Sequence, residues 1–168
     1  TMLETDFSAS TIVDFLFRSK PRFAGGSKAP IISPELSGED FTQAVVSAVG
    51  ELDESYLCIQ GPPGAGKTFT ARHVISDLLA KGKRVGISSN SHKAIINLMD
   101  GVADRLQSEG ISGRLIKVGG DSEDPIFNKV NVEFRQNANA CADDLNGPGL
   151  CIGGTAWLFC NTLLTEDQ

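Results

Sequence analysis

Residues 61–68 read Gly61-Pro62-Pro63-Gly64-Ala65-Gly66-Lys67-Thr68. A glycine-rich run followed at once by a lysine and a hydroxyl fits the spacing G-x-x-x-x-G-K-[ST] at every position, the pattern of a phosphate-binding P-loop. The residue types follow from the chemistry. A triphosphate is held by many donors at short range. Backbone N–H groups serve best where side chains do not crowd them, so glycines at 61, 64 and 66 let the chain wrap closely. Lys67 adds a point charge for the β- and γ-phosphates, and Thr68 offers a hydroxyl to Mg²⁺. The helix that follows aims its N-terminus at the anion. Gly61, Gly64, Ala65, Gly66, Lys67, Thr68 and the next residue, Phe69, form the candidate nucleotide-binding set, with Lys67 the candidate catalytic group.

Such a loop works only between a strand and a helix. Tyr56-Leu57-Cys58-Ile59-Gln60 before it is an apolar run of strand type. After it Phe69, Ala71, Val74, Ile75, Leu78 and Leu79 recur at helical spacing up to a capping Gly82. Upstream, Ser37 and Asp40 form a capping-box-like start. Phe41, Ala44, Val45, Ala48 and Val49 then mark one buried helix face, closed by Gly50. Lys83–Ser88 reads as a strand. A helix carrying Ala94, Ile95, Leu98, Val102 and Leu106 follows, which either Ser89 or Ser91 can cap, and it ends near Gly110. Arg114–Val118 is the next strand, closed by Gly119-Gly120, and Leu150–Thr155 returns to strand character before a buried turn or helix at Ala156–Phe159. Strands alternating with helices imply an α/β fold, a parallel sheet covered on both faces, with the strand-to-helix loops gathered at one edge where ligands bind.

Two stretches are less regular. In residues 1–36, Thr11–Phe17 is a short apolar element, helix or strand, and Pro21, Gly25, Gly26, Pro30 and Pro34 then break any pattern. This stretch reads as a linker, and residues 37–168 as the domain. Within it, residues 119–149 are polar. Val130, Val132 and Phe134 alternate there, either as a short strand or within a long excursion.

Composition narrows the classes. At 168 residues, 40% apolar and 21% charged, the chain is one soluble globular domain or most of one. It has no apolar run of membrane-spanning length and no signal-peptide pattern, so it is expected in the cytoplasm without a membrane partner. Net charge is −6. Residues 1–120 hold 13 acidic and 13 basic side chains, so the excess lies wholly in the last 48 residues. That leaves no basic stripe for autonomous nucleic-acid binding. Cys58, Cys141, Cys151 and Cys160 lack C-x-x-C spacing, which argues for reduced thiols rather than zinc. Cys58 and Cys151 lie in apolar runs, where a thiol acts as a small hydrophobe.

Three segments together resemble superfamily 1 helicases of the Upf/Dna2-like branch, especially bacterial chains that pair a RecB-like nuclease region with such a motor. Gln60–Thr68 resembles motif I, Ser88-Ser89-Asn90-Ser91-His92-Lys93-Ala94 resembles motif Ia, and Gly153-Gly154-Thr155-Ala156-Trp157 resembles the segment before the Walker B strand. The likeness spans roughly residues 37–160. It implies the first RecA-like motor domain, a three-layer P-loop NTPase using ATP and Mg²⁺. It also implies that Gln43, at the Q-motif position, hydrogen-bonds adenine, and that motif Ia touches a single strand of DNA or RNA. Ser91, His92 and Lys93 suit phosphate contact by chemistry as well, since hydroxyls and cations are the usual backbone donors. The plainer alternative makes Ser91 a helix cap and His92 a surface histidine.

The sequence departs from the family in one respect. Downstream of Lys67 no four-residue apolar run ends in Asp-Glu, the pair that holds Mg²⁺ and activates water. Leu163-Leu164-Thr165-Glu166-Asp167 is the nearest, with the wrong order and the wrong preceding strand. The family's arginine finger and second motor domain are expected to lie outside these residues. The expectation is a piece of a longer protein whose remainder completes the motor, which binds ATP without efficient hydrolysis and whose cut sheet invites self-association. The competing classes are a protein-remodelling AAA+ ATPase and a non-catalytic nucleotide-binding or interaction module. A small-molecule kinase is a further alternative, disfavoured by missing lid arginines.

Overall fold

A computed structural model describes residues 11–26, 31–145 and 147–161. Pro30 and the Leu163–Asp167 stretch lie outside the described residues. The chain divides into two compact units, Thr1–Lys67 and Thr68–Gln168.

In the first unit, α1 is Thr11–Leu16 and α2 is Gly38–Gly50. The stretch after α1 is tied down. Asp14 pairs with Arg22, the Tyr56 hydroxyl donates to the Ser19 carbonyl at 2.6 Å, and Phe23 bridges Leu52 in antiparallel fashion. Ser37 stands at the N-cap of α2, but its side chain makes no capping hydrogen bond, so the expected capping box does not form. The buried face of α2 is Thr42, Val45, Val46 and Ala48, while Phe41 is exposed. The stripe is thus rotated by about one residue from the spacing-based one.

Tyr56–Gln60 is not a strand. A strand exists only through a ladder, and this segment pairs with no described strand. Cys58, expected as a buried hydrophobe, is exposed with Ile59. Apolar composition specified the local preference but not the partner it requires.

The second unit carries the sheet. Helix α3, Lys67–Ala80, begins at the unit boundary and leads to β1, Val85–Ser88. Helix α4, His92–Glu109, is followed by β2, Arg114–Val118. Next come β3, Val132–Arg135, β4, Leu150–Gly154, and the short α5, Ala156–Phe159. All three pairings are parallel, in the order β1-β4-β2-β3. Side chains alternate across it as a pleat demands. Leu115, Val132, Cys151 and Ile87 face α3 and α4, in a core with Ile75, Leu79, Ile95, Met99 and Leu106. Ile116, Val118, Leu150 and Ile152 face the other way, against Ala138, Cys141 and Leu158. Burial pushes the Cys151 thiol up to about 12, the behaviour of an inert packing group.

The helix stripes shift slightly. α3 buries Thr70, Ile75, Ser76 and Leu79, while Phe69 remains 46% exposed. α4 buries Ile95, Ile96, Met99, Val102, Ala103 and Leu106, and Ala94 is exposed. Gly110 ends α4 with φ +65°, as a left-handed cap requires.

Residues 119–145 are structured. Asp124 caps a 3-10 segment, Pro125–Asn128, by accepting from the Ile126 amide at 3.1 Å. Val132 and Phe134 sit in β3, whereas Val130 is fully exposed before it. A second 3-10 segment, Ala138–Leu145, brings Asp144 to the sheet. There Arg114 binds both Glu133 and Asp144, and Arg135 binds the same two carboxylates at 2.8 Å each. No helix among the described residues is long and apolar enough to cross a membrane.

Two expected outcomes follow. The Arg114 hydrogen bond holds the Glu133 carboxyl at about 2, below its usual 4.5. A depressed carboxylate stabilises the fold fully above its unfolded value and loses that contribution as pH falls through the folded one. Stability should therefore decline between about pH 4.5 and 2. Glu133→Gln should flatten that limb in urea melts, at a cost of about 1 kcal/mol at neutral pH. Separately, a Cβ at Gly153 would lie 2.5 Å from Met99 Sδ and 2.7 Å from Ile95 Cγ2. Gly153→Ala should cost about 1–3 kcal/mol in the same measurement.

Candidate functional site

The loop from Gly61 to Thr68 is shaped by its glycines and its lysine. Gly64 and Gly66 have φ of +81° and +80°, open only to glycine at low cost, and no other atom crowds either one. A single backbone bond, Ala65 N–H to the Pro62 carbonyl at 3.2 Å, braces the turn. Lys67 folds back and donates to the Gly61 and Pro62 carbonyls at 2.6 and 2.7 Å. Its ammonium thus sits over the loop. Residues 62–69 are all exposed.

The amides of Gly64 and Gly66 have no hydrogen-bond partner among the described residues. The first N–H groups of α3, a helix of 14 residues, likewise have no carbonyl a turn before them. Uncommitted donors, a positive helix end and a nearby ammonium are the donor set that a polyphosphate needs, so ATP fits the residues present. The Thr68 hydroxyl suits Mg²⁺, a cation that takes oxygen ligands. Phe69 does not turn into the loop. Its ring packs on His73 at 4.3 Å between centroids, and the Arg72 guanidinium lies 4.4 Å above it. Gln43 is exposed on α2, and its side chain makes no hydrogen bond to a described residue.

At the other candidate cluster the plainer reading of Ser91 holds. It is the N-cap of α4, its hydroxyl oxygen accepting from the Ala94 amide at 3.3 Å. Lys93 is exposed. His92 is half-buried rather than a free surface residue. Its Nδ1 lies 2.9 Å from the Nζ of Lys117, a lysine with 0% exposure on β2. The same Nζ donates to the Val118 and Gly119 carbonyls at 2.8 and 2.6 Å. A Cβ at Gly120, whose φ is +87°, would stand 3.1 Å from His92 Nδ1. Burial, and then the Lys117 charge, hold the His92 pKa below its usual value. Burial alone pushes the Lys117 ammonium down.

Lys117 escaped the sequence reading. Its signal was visible: in Leu115-Ile116-Lys117-Val118 a cation interrupts a strand that is apolar on both faces. The turns that follow the strands share a topological cause. β1, β2 and β4 are parallel, so the turns after them, at Ser89–Ser91, Gly119–Gly120 and Thr155, leave the sheet at the same edge. Trp157, 85% exposed on α5, stands just after the third.

A family model described as an AAA domain matches residues 39–144. The chain is 32% identical over 84 residues to the DNA replication ATP-dependent helicase/nuclease DNA2 of Saccharomyces cerevisiae, covering 47% of this chain and 5% of that protein. It is 30% identical over 112 residues to the dna2 counterpart of Schizosaccharomyces pombe, 64% of this chain and 7% of the other. Against the DNA polymerase alpha-associated DNA helicase A of S. pombe it is 42% identical over 53 residues, 32% of this chain and 7% of the other. These relatives bear out the helicase resemblance, and the chain spans less than a tenth of their length. No solved structure matches.

Removing the cap should be measurable apart from any ligand. Ser91→Ala should lower the unfolding free energy by about 1 kcal/mol, and Ser91→Asp should retain the wild-type value, as read by denaturant titration.

Proposed function

The chain belongs to the AAA domain family, and we propose that it is the ATP-binding part of an ATP-dependent helicase or translocase acting on nucleic acid. The observation that carries this reading is the exposed loop at Gly61–Thr68, with uncommitted amides on Gly64 and Gly66 and the Lys67 ammonium over it. Gly61, Gly64, Ala65 and Gly66 supply the amide cradle. Lys67, now donating to two carbonyls, would donate to phosphate oxygens, and the Thr68 hydroxyl would help hold Mg²⁺, which would supply neutralisation of phosphate charge. Gln43 is assigned to adenine on the strength of the family resemblance alone, and Phe69 is kept in the nucleotide-binding set by its place directly after Thr68.

Substrate choice rests on the relatives, whose names specify DNA helicases and helicase/nucleases. Ser91, His92 and Lys93 open α4 at the ligand edge of the sheet and present a hydroxyl, an imidazole and an ammonium to a sugar-phosphate backbone. DNA and RNA share that chemistry. We place the protein in the cytoplasm with its four cysteines as thiols. Within residues 68–168 no apolar run ends in Asp-Glu, and our reading is that these residues bind Mg·ATP weakly and do not by themselves supply the groups for efficient hydrolysis. A remodelling ATPase acting on proteins would share the P-loop, but it gives no reason for the Ser91–Lys93 cluster.

A titration with a fluorescent ATP analogue and Mg²⁺ tests the nucleotide reading. The wild type should saturate, and Lys67→Ala should bind at least ~10-fold more weakly, because a charge-assisted contact is lost. Equal binding by the two proteins, or Lys67-dependent turnover at the rate of a whole motor, would overturn it.

A further inference from the structure

We propose that Lys117 is a positioning residue that holds His92 as a neutral imidazole with its proton on Nε2, presenting an N–H donor outward from the start of α4. This deepens the nucleic-acid reading of the Ser91–Lys93 cluster and rests on it only for the identity of the ligand.

The geometry leaves little choice of hydrogen placement. Lys117 Nζ has three partners: the Val118 carbonyl, the Gly119 carbonyl and His92 Nδ1. Two are carbonyl oxygens, which only accept. Two arrangements satisfy all three. An ammonium spends its third N–H on an unprotonated Nδ1, which puts the imidazole proton on Nε2. A neutral amine would instead accept from a protonated Nδ1. One proton separates the two, and it goes to the stronger base. Lysine is ordinarily the more basic by about four pKa units; burial lowers both groups, and the two carbonyl acceptors offset part of that loss for the ammonium. Nδ1 is therefore the acceptor.

The surroundings agree. The charged groups on the elements around this pair are few. Lys93 lies on α4 and is exposed. Asp121, after the Gly119–Gly120 turn, accepts from the Glu123 amide. Arg135 of β3 is bound to Glu133 and Asp144, on the opposite face of the sheet from Lys117. β4 brings only Gly153 alongside Lys117. Among the described residues no carboxylate pairs with Lys117 or His92, so nothing nearby stabilises a second positive charge. The lowered His92 pKa has the same origin, burial and the Lys117 charge. Gly120 closes the ring in, since even a Cβ there would crowd Nδ1 and Cγ at 3.1 and 3.2 Å. A ring held on one side by a lysine and on the other by a glycine turn has one nitrogen left for a ligand. A neutral donor of that kind adds direction to a phosphate contact whatever the pH near neutrality.

The chain contains its own control. Its only other histidine, His73, lies on α3 with Nδ1 2.7 Å from the Phe69 carbonyl. A carbonyl cannot donate, so His73 carries its proton on Nδ1. The two histidines should show opposite tautomers in one spectrum.

The experiment is a ¹⁵N–¹H long-range correlation spectrum of the ¹⁵N-labelled chain across pH 5–8. The expected result is a protonated Nε2 and imine-type Nδ1 for His92, the reverse for His73, and a His92 midpoint below the usual histidine value. Lys117→Met should raise the His92 midpoint and mix its tautomers while leaving His73 unchanged, and Lys117→Arg should restore the Nε2–H form in part. An Nδ1–H tautomer of His92 in the wild type overturns the proposal, and so does a His92 titration indifferent to Lys117→Met. The first of these needs no variant to fold. Binding of a fluorescent single-stranded oligonucleotide separates the ligand reading. His92→Ala and Lys117→Met should each weaken it by ~10-fold, and the double variant by no more than either one. Unchanged affinity of His92→Ala, with the tautomers as expected, would remove the nucleic-acid assignment and leave the Lys117–His92 coupling intact.

Discussion

Strand β4 is held between β1 and β2, and most of what the second unit does depends on that placement. A strand in the middle of a parallel sheet must be apolar on both faces and covered on both. β4 meets the demand with five buried positions. Cys151 lies under α3 and α4, and Leu150 and Ile152 lie under the segment that carries Ala138, Cys141 and Leu158. Gly153 contributes by having no side chain, which lets Met99 and Ile95 come down onto the backbone. Without β4 the strand that leads to Ser91 and the strand that leads to Gly119 would have no common frame.

That frame accounts for how a buried lysine is tolerated. Lys117 stands on the same face as Leu115, where the neighbouring strand offers a glycine and the overlying helix begins with a histidine. Its stem fills apolar space while its head reaches the rim of the sheet and finds two carbonyls and a ring nitrogen there. A buried charge is costly without such partners. Here the partners are drawn from the turn that the strand itself runs into, so the strand end, the turn and the start of α4 are set by a single amino group.

Much of this was legible in the chain. The P-loop is a matter of residue type and spacing, which sequence displays directly. β1, β2, β4 and the two longer helices of the second unit followed from periodicity, and a serine cap followed from position before an apolar stripe, with the fold choosing Ser91 over Ser89. The misses have physical reasons. Tyr56–Gln60 has strand composition, but pairing is a property of two segments and cannot be read from one. The stripes on α2, α3 and α4 were off by a residue because burial depends on where a helix axis lies, as Phe69 and Ala94 show. Residues 119–149 looked irregular because they are held by charged groups rather than an apolar period: Arg114, Glu133, Arg135 and Asp144 pair across β2, β3 and the second 3-10 segment. Lys117 and His92 are 25 positions apart, and nothing short of the fold puts them together.

The strand order also has a consequence in time. Val85 of β1 pairs with Cys151 of β4, 66 positions later, and among the described residues β1 has no other strand beside it. On a ribosome, β1, β2 and β3 all emerge before the strand that joins the first to the rest. At roughly 5–20 residues per second the wait for β4 is roughly 3–13 s. During that interval β1 and α4 are a strand and helix with no partner strand for β1, and among the described residues the β2–β3 pair is the one ladder that can close. The sheet then completes from the inside, when its penultimate position is filled last. Pairing of this kind, delayed and distant in sequence, makes a nascent chain dependent on whatever shields its apolar strands while it waits.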